Sequence, residues 1–478
     1  MNQTDFNIYG GASQNAPNAS VQQQIFLGDQ FAHTLLGCKD RPLTLVVLGA
    51  GVDATLGFPT SAQLIPRIVE YLQTDEGQQV DSLLRKSIGN VRFHFDSFVD
   101  KAIDSMAQDL DKELITICQS IKDELRVNDS LTDDQRKLGD LIVRLFRKII
   151  DIKSGASIDG ETETLIEEVF GTAVHDDSII DFSRISYTDT FKHIITEILK
   201  RSIREADNPV LRHVSRNMLD IEQLLSQYFY GFFTGQTGYV KNYMYIAWVL
   251  WAFLVHVEQQ VLPVAPAPDL FPPSHEDLPG LYAQLSGKDC QLLTFNYTSF
   301  ARRSSPSAIH FHGTLSEYVD VENKNDLTIG SLHGLDLPTF FRERLAFELS
   351  FDPEHRALPI PSFLPQLRLQ PVISRHYIDT WYRTRQMLLR ADHILILGHS
   401  FSSTDTFFSD TLRENSDVRL TVIDKDIDTV ARNLCRLLQL PPNACTRQCI
   451  NGHEHRIYSN RIHLIHSDLT AVNLSDWL

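Results

Sequence analysis

The sequence predicts an α/β protein, a mostly parallel β-sheet interrupted by a large helical insertion. Three observations lead there. A buried-strand pattern, Leu43-Thr44-Leu45-Val46-Val47-Leu48, runs into the glycine turn Gly49-Ala50-Gly51. Helical periodicity then dominates from about residue 61 to 262. Short apolar and β-branched runs return beyond residue 290. The expected organisation is a flexible N-terminal arm (1–25), a sheet domain split between 26–60 and 280–478, and a helical subdomain (61–279) with a proline-rich exit.

Residues 1–25 are rich in Asn, Gln, Gly and Ser, with too few apolar anchors to order themselves. The first strand and glycine turn lead into Ser61-Ala62-Gln63-Leu64-Ile65-Pro66, which reads as the start of an amphipathic helix. Strand, glycine turn and helix together make a phosphate cradle, because glycine admits a close anion and a helix start offers free N–H groups. Residues 49–54 also fit the glycine-x-glycine-x-x-alanine variant of the dinucleotide fingerprint. No second strand ending in a ribose-binding acid follows. Glu70 has about the right separation but lies within the first helix pattern, on a solvated face.

Segments 97–127, 133–152, 190–206 and 217–233 place apolar residues at three and four spacing and read as helices. Met244–Val257 is the most apolar run; it reads as a core helix, too short and too aromatic for a bilayer span of ~20 apolar residues. Six prolines within 263–279 mark a connection. Strands are expected at 291–295, 308–312, 393–397, 419–424 and 462–465, joining 43–48 in one sheet with a ligand crevice at the carboxyl ends of its strands.

Composition narrows the function classes. The chain has 478 residues, 42% of them hydrophobic, enough for a large core. Its net charge of −17 opposes nonspecific binding to nucleic acid or to an anionic membrane. Six cysteines without a regular framework and an N-terminus without signal-peptide blocks point to the cytoplasm.

Candidate chemistry gathers just beyond the strands. Thr294-Phe295-Asn296-Tyr297-Thr298 follows one strand, and His310-Phe311-His312-Gly313 ends another. Gly398-His399-Ser400, running on to Asp405, follows a third, and Asp424 ends a fourth. His333-Gly334 is a rival to His312, but it sits in a polar, loop-like stretch. His310 lies two residues before His312 on the same strand, on the same face, in a supporting position.

As an ordered set, these motifs resemble those of the sirtuin-like superfamily. Gly49-Ala50-Gly51 with Asp53, Gly57 and Pro59 is similar to the first motif; Thr294-x-Asn296-x-Thr298, His312-Gly313, Gly398-x-Ser400 and Asp424 follow in family order. Two departures are informative. No cysteine lies between Cys290 and Cys435, where deacylating sirtuins carry a zinc ribbon, and Cys445, Cys449, His453 and His455 do not replace it, so no metal is expected. Asp53 stands where serine is usual and Thr298 where an acid is usual, which resembles the AbiH-type abortive-infection branch.

The resemblance implies a Rossmann-like, sirtuin-like fold and an NAD+ hydrolase of bacterial antiphage defence. NAD would be substrate, cleaved to nicotinamide and ADP-ribose. Asn296 and His312 are the implied catalytic residues, with His312 the base; Gly49, Ala50, Gly51, Asp53, Pro59, Thr294, Gly398, Ser400, Asp405 and Asp424 are the implied cofactor-binding set. Implied partners are further copies of the chain or a partner defence protein, with a phage-derived trigger and neither nucleic acid nor membrane. An NAD- or ADP-ribose-binding sensor without turnover, and a protein ADP-ribosyltransferase or deacylase, are the alternatives.

Overall fold

Strand β1 (Thr44–Leu48) is an interior strand, third of eight, in the sheet that organises the molecule. The computed structural model describes residue 43 onward except 61–62, 90, 96–109, 154–164, 166–186, 206–207, 219–224, 226–227, 229–236, 263–277, 321–324, 346–358, 364–374, 402–404, 416, 442–443 and 451–452. The expected N-terminal arm, most of the proline-rich connection, most of the helix at 217–233 and Ser402 to Thr404 lie outside the described residues. Thr44–Leu478 forms one compact unit; of the other, Met1–Leu43, only Leu43 is described.

The remaining strands are β2 (Gln291–Thr294), β3 (Ile309–His310), β4 (Glu317–Asp320), β5 (Asn325–Thr328), β6 (Pro359–Pro361), β7 (His393–Leu397), β8 (Arg419–Asp424), β9 (Thr446–Ile450), β10 (His453–Tyr458) and β11 (Ile462–His466). Eight form one sheet in the order β3-β2-β1-β7-β8-β11-β10-β9. The pairings from β3 to β11 are parallel, and β10 and β9 complete the sheet antiparallel. All six strands expected from the sequence are in the parallel part, two with the expected bounds and the other four with ends shifted by one or two residues.

Side chains alternate across the sheet, as strand geometry requires. Val46, Leu48, Leu395, Leu397 and Ile465 enter one hydrophobic core. Leu45, Val47, Leu293, Ile394, Ile396 and Val422 enter another on the opposite face. Near-continuous apolar strands thus follow from burial on both faces.

Helix α1 (Ala50–Ala54) follows β1 directly. It has only five residues, ends in a loop with Gly57 at φ 94°, and gives way to α2 (Leu64–Tyr71). The helix expected from Ser61 is thus α2, and α1 is an additional short helix at the glycine turn. Then come α3 (Asp75–Ile88), α4 (Leu110–Val127), α5 (Asp133–Lys153), α6 (Tyr187–Arg204), α7 (Pro209–Met218) and α8 (Thr237–Val261). Thr74 caps α3 by accepting from the Gly77 N–H at 3.1 Å. Apolar residues of α3 to α8 belong to the same core as Val46 and Leu48, so the helices share their core with one sheet face.

Helix α8 is 25 residues long, not the 14 or so of the apolar run alone. By length and composition Gly238–Val261 is a candidate membrane span, but 78% of its most apolar window is buried in the protein. Its tryptophans show why it fits there. The Trp248 indole N–H donates to the Pro359 carbonyl at 3.0 Å and that of Trp251 to the Leu315 carbonyl at 2.7 Å, so both buried donors are satisfied.

After α9 (Gly280–Leu285) and α10 (Phe300–Ser304), β5-β4-β6 makes a small antiparallel sheet that the sequence pattern conceals. Strand β6 is Pro-Ile-Pro, which reads as a breaker; it is tolerated at this sheet's edge, where ladder donors are not needed. Helices α11 (Arg375–Arg390), α12 (Thr406–Glu414) and α13 (Ile427–Leu438) contribute to the core on the other face of the main sheet.

Candidate active site at the carboxyl ends of the parallel strands

The chain leaves β1 to reach β2 on one side and, after β3, crosses to β7 on the other, so the strand order reverses beside β1. The loops after β1 and β7 meet there, backbone to backbone. The Gly49 N–H donates to the Leu397 carbonyl and the Gly51 N–H to the Gly398 carbonyl, each at 2.9 Å. A Cβ on Gly49 would lie 2.4 Å from the Gly398 oxygen, and one on Gly398, whose φ is 61°, would lie 2.8 Å from Gly51 Cα. The glycines are thus demanded by the approach of two loops, whatever ligand they face. Two donors expected to cradle a phosphate are committed to carbonyls, while Ala50 between them is exposed.

Behind that turn lies a buried polar network. Asp53, 4% exposed, accepts from the Thr298 hydroxyl at 2.8 Å, from the Asn296 amide at 2.9 Å and from the Tyr282 hydroxyl. The Asn296 amide nitrogen also reaches the Gly49 carbonyl at 3.1 Å. With two acceptors on one side, the amide must place its nitrogen there and turn its oxygen away. Burial pushes the Asp53 carboxyl up to about 7, against the lowering effect of its hydroxyl and amide donors and with Glu258 adding to the rise. Asp53 and Thr298, read separately in the sequence, are therefore partners in one hydrogen bond.

Glu258 of α8 joins the helical segment to this region. It accepts the Ser299 N–H at 3.2 Å and the Ser299 hydroxyl, just before α10. Burial raises its pKa, opposed by the Ser299 bonds. Neither Tyr282 nor Glu258 gave a sequence signal, since an aromatic in a short helix and an acid near a helix end are ordinary residues.

His312 stands in the turn directly after β3, which ends at His310. The turn needs Gly313, at φ 89° and with its Cα packed so closely on the Ser362 carbonyl that a Cβ would sit 2.8 Å away. His312 Nε2 lies 3.1 Å from Asp405 Oδ1, and His399 Nε2 lies 3.5 Å from Asp405 Oδ2. All three side chains are buried. Burial alone would raise the Asp405 pKa, but the bonds and charges of the two histidines hold its carboxyl well below the usual range. Phe295, the neighbour of Asn296, packs its ring 5.4 Å from His312 and 4.5 Å from His399. His312 Nδ1 is buried and has no hydrogen-bond partner among the described residues.

The other candidates are distributed as follows. Thr294, expected to face a cofactor, is fully buried; its hydroxyl accepts from the Asn296 N–H at 3.0 Å, so it shapes the loop instead of lining a surface. Asp405, expected with the cofactor ligands, lies between His312 and His399. Asp424 is half-buried at the end of β8, its pKa raised by burial, and accepts the Asp426 N–H at 2.8 Å. Ser400 is exposed and Pro59 half-buried. His310 meets the Thr298 carbonyl at 3.0 Å, steadying the loop that carries Thr298; because β3 stops there, the expected shared strand face with His312 does not form. His333 is in a loop, and Glu70 is exposed and paired with Arg67 at 3.4 Å.

A groove of about 440 Å³ lined by Gln284, Lys288, Thr470 and Asn473 shares no residue with these groups. Among the described residues, no three His, Cys, Asp or Glu side chains converge as metal ligands. In comparison with known proteins, the chain matches no family model and no curated protein.

Proposed function

We propose that this chain is an NAD+ glycohydrolase that releases nicotinamide and ADP-ribose. The observation that carries the reading is His312, an imidazole fixed by an ionised carboxylate with its other nitrogen unpartnered among the described residues, at the carboxyl end of the sheet that also carries Asn296. The 3-2-1-4-5-6 order of the parallel strands supports a Rossmann-like reading, and ligands of such sheets bind where the strand order reverses. The motif order resembling sirtuin-like effectors supplies the substrate class.

In the proposed reaction, the bond between the ribose C1′ and the nicotinamide nitrogen breaks, and its electron pair leaves with neutral nicotinamide. A water oxygen bonds C1′, and the water proton passes to His312 and then to solvent. Asn296 offers its outward amide oxygen to a ribose hydroxyl or to the water. The pyrophosphate lies toward Ala50, and the adenosine ribose toward Ser400 and Asp424. The helices from α2 to α8 read as an insertion on this domain and the natural seat of regulation by further copies, a partner defence protein or a phage-derived trigger, since unrestrained NAD hydrolysis would poison its host.

Purified full-length protein given NAD, alone and with candidate activators, should release nicotinamide. His312→Ala and Asn296→Ala should each lower turnover by ~10²-fold or more, the usual worth of a general base. Full activity in both variants would sink the assignment. The buried Thr294 and the committed Asn296 nitrogen favour a second reading, a sensor that binds NAD without cleaving it; calorimetric binding with NAD recovered intact would select it. Label from NAD appearing on protein, or NAD-dependent acyl loss, would select a transferase or deacylase.

A further inference from the structure

We propose that Asp405 is a positioning residue, which keeps the proton of His312 on Nε2 and so makes Nδ1 the proton-accepting atom of that imidazole. The kinetic part of this rests on the NAD-cleaving reading; the structural part does not.

Asp405 occupies the N-cap position of α12, where an aspartate ordinarily accepts a backbone N–H from the helix's first turn, yet its side chain makes no capping bond. Both carboxylate oxygens turn to imidazoles instead. His399 Nδ1 accepts the Phe401 N–H at 3.1 Å, so in its neutral form the proton is on Nε2, facing Asp405 Oδ2. An ionised carboxylate only accepts, so His312 must likewise present Nε2–H to Oδ1, 3.1 Å away. The neutral His312 ring then has a bare lone pair at Nδ1, the buried atom without a partner among the described residues. Phe311 and Phe295, with ring centroids 4.9 and 5.4 Å from that of His312, pack against the ring and resist a flip that would carry Nε2 away from Asp405. A helix cap has been given up to hold one tautomer.

The test uses the full chain labelled with ¹⁵N-histidine, with His312 assigned by the signal lost in His312→Asn. Long-range ¹H–¹⁵N spectra should show the wild-type His312 proton on Nε2. In Asp405→Asn, the new amide N–H can donate to Nε2, so the proton should move to Nδ1, and kcat for NAD hydrolysis should fall by ~10²–10⁴-fold with KM little changed. A wild-type proton on Nδ1, or an unchanged tautomer in folded Asp405→Asn, overturns the proposal. If that variant does not fold, the wild-type spectrum still decides. An Nε2–H tautomer in a protein that never cleaves NAD would uphold the role of Asp405 and refute the glycohydrolase reading.

Discussion

At the scale of the residue, Asp53 carries the sharpest consequence. Its folded pKa of about 7 lies above the ordinary 3.8, so between those values the folded state binds more protons than the unfolded one. Its contribution to stability is therefore largest at low pH and declines as pH rises from about 4 through about 7. Asp53→Asn, which keeps a neutral acceptor for Tyr282 and Asn296, should remove that decline; urea titrations from pH 4 to 8 would show the stability difference between variant and wild type growing with pH. Gly398 gives a second prediction. Alanine there combines a φ of 61° with a Cβ 2.8 Å from the backbone of residues 51 and 52, and should cost about 2–4 kcal/mol in chemical denaturation.

At the scale of the element, α8 is the helix on which much of the larger core is assembled. Trp248 and Trp251 stack edge-on at 5.3 Å, and each meets Phe340 and Phe341. Trp251→Phe keeps most of the apolar contact but leaves the buried Leu315 carbonyl without its donor. It should lower the unfolding free energy by about 1–3 kcal/mol without loss of helix content by circular dichroism. The same helix sends Glu258 to Ser299, beside Asn296 and Thr298, so a shift of the helical segment has a direct mechanical route to the candidate site.

At the scale of the whole molecule, acid stability reflects the sheet. His393 of β7 is buried, its Nε2 meets the Thr421 hydroxyl at 3.0 Å, and its pKa is lowered to about 4 by burial and by Arg419 and His463. His455 on β10 is shifted down in the same sense, by burial and by His463 and His453. An unfolded histidine gains its proton near 6.5 and folded His393 only near 4, so this contribution is present above 6.5 and is lost as pH falls to about 4. His393→Gln should flatten the fall in thermal midpoint across that window. It opposes the Asp53 trend, and the single variants separate the two.

The sequence by itself determined the parallel strands, the glycine turn, the helical stretch between β1 and β2, and Asn296 and His312 at strand ends. Those features are local: strands buried on both faces must be apolar throughout, and turns that bring backbones together must be glycine. The sequence did not reveal β4 to β6, because proline at an edge strand looks like a breaker, nor the hairpin strands β9 and β10, whose residues are largely polar. Only tertiary structure decided which polar residues meet. Asp405 is 93 positions from His312 and Asp53 is 243 from Asn296, separations over which no periodicity carries information. Thr294 and Asp53, which belong to the motifs, are buried, and Tyr282 of α9 and His399 meet Asp53 and Asp405 only through tertiary packing. A hydrogen bond is fixed by where two elements come together in space, and that is settled by the burial of the core beneath them.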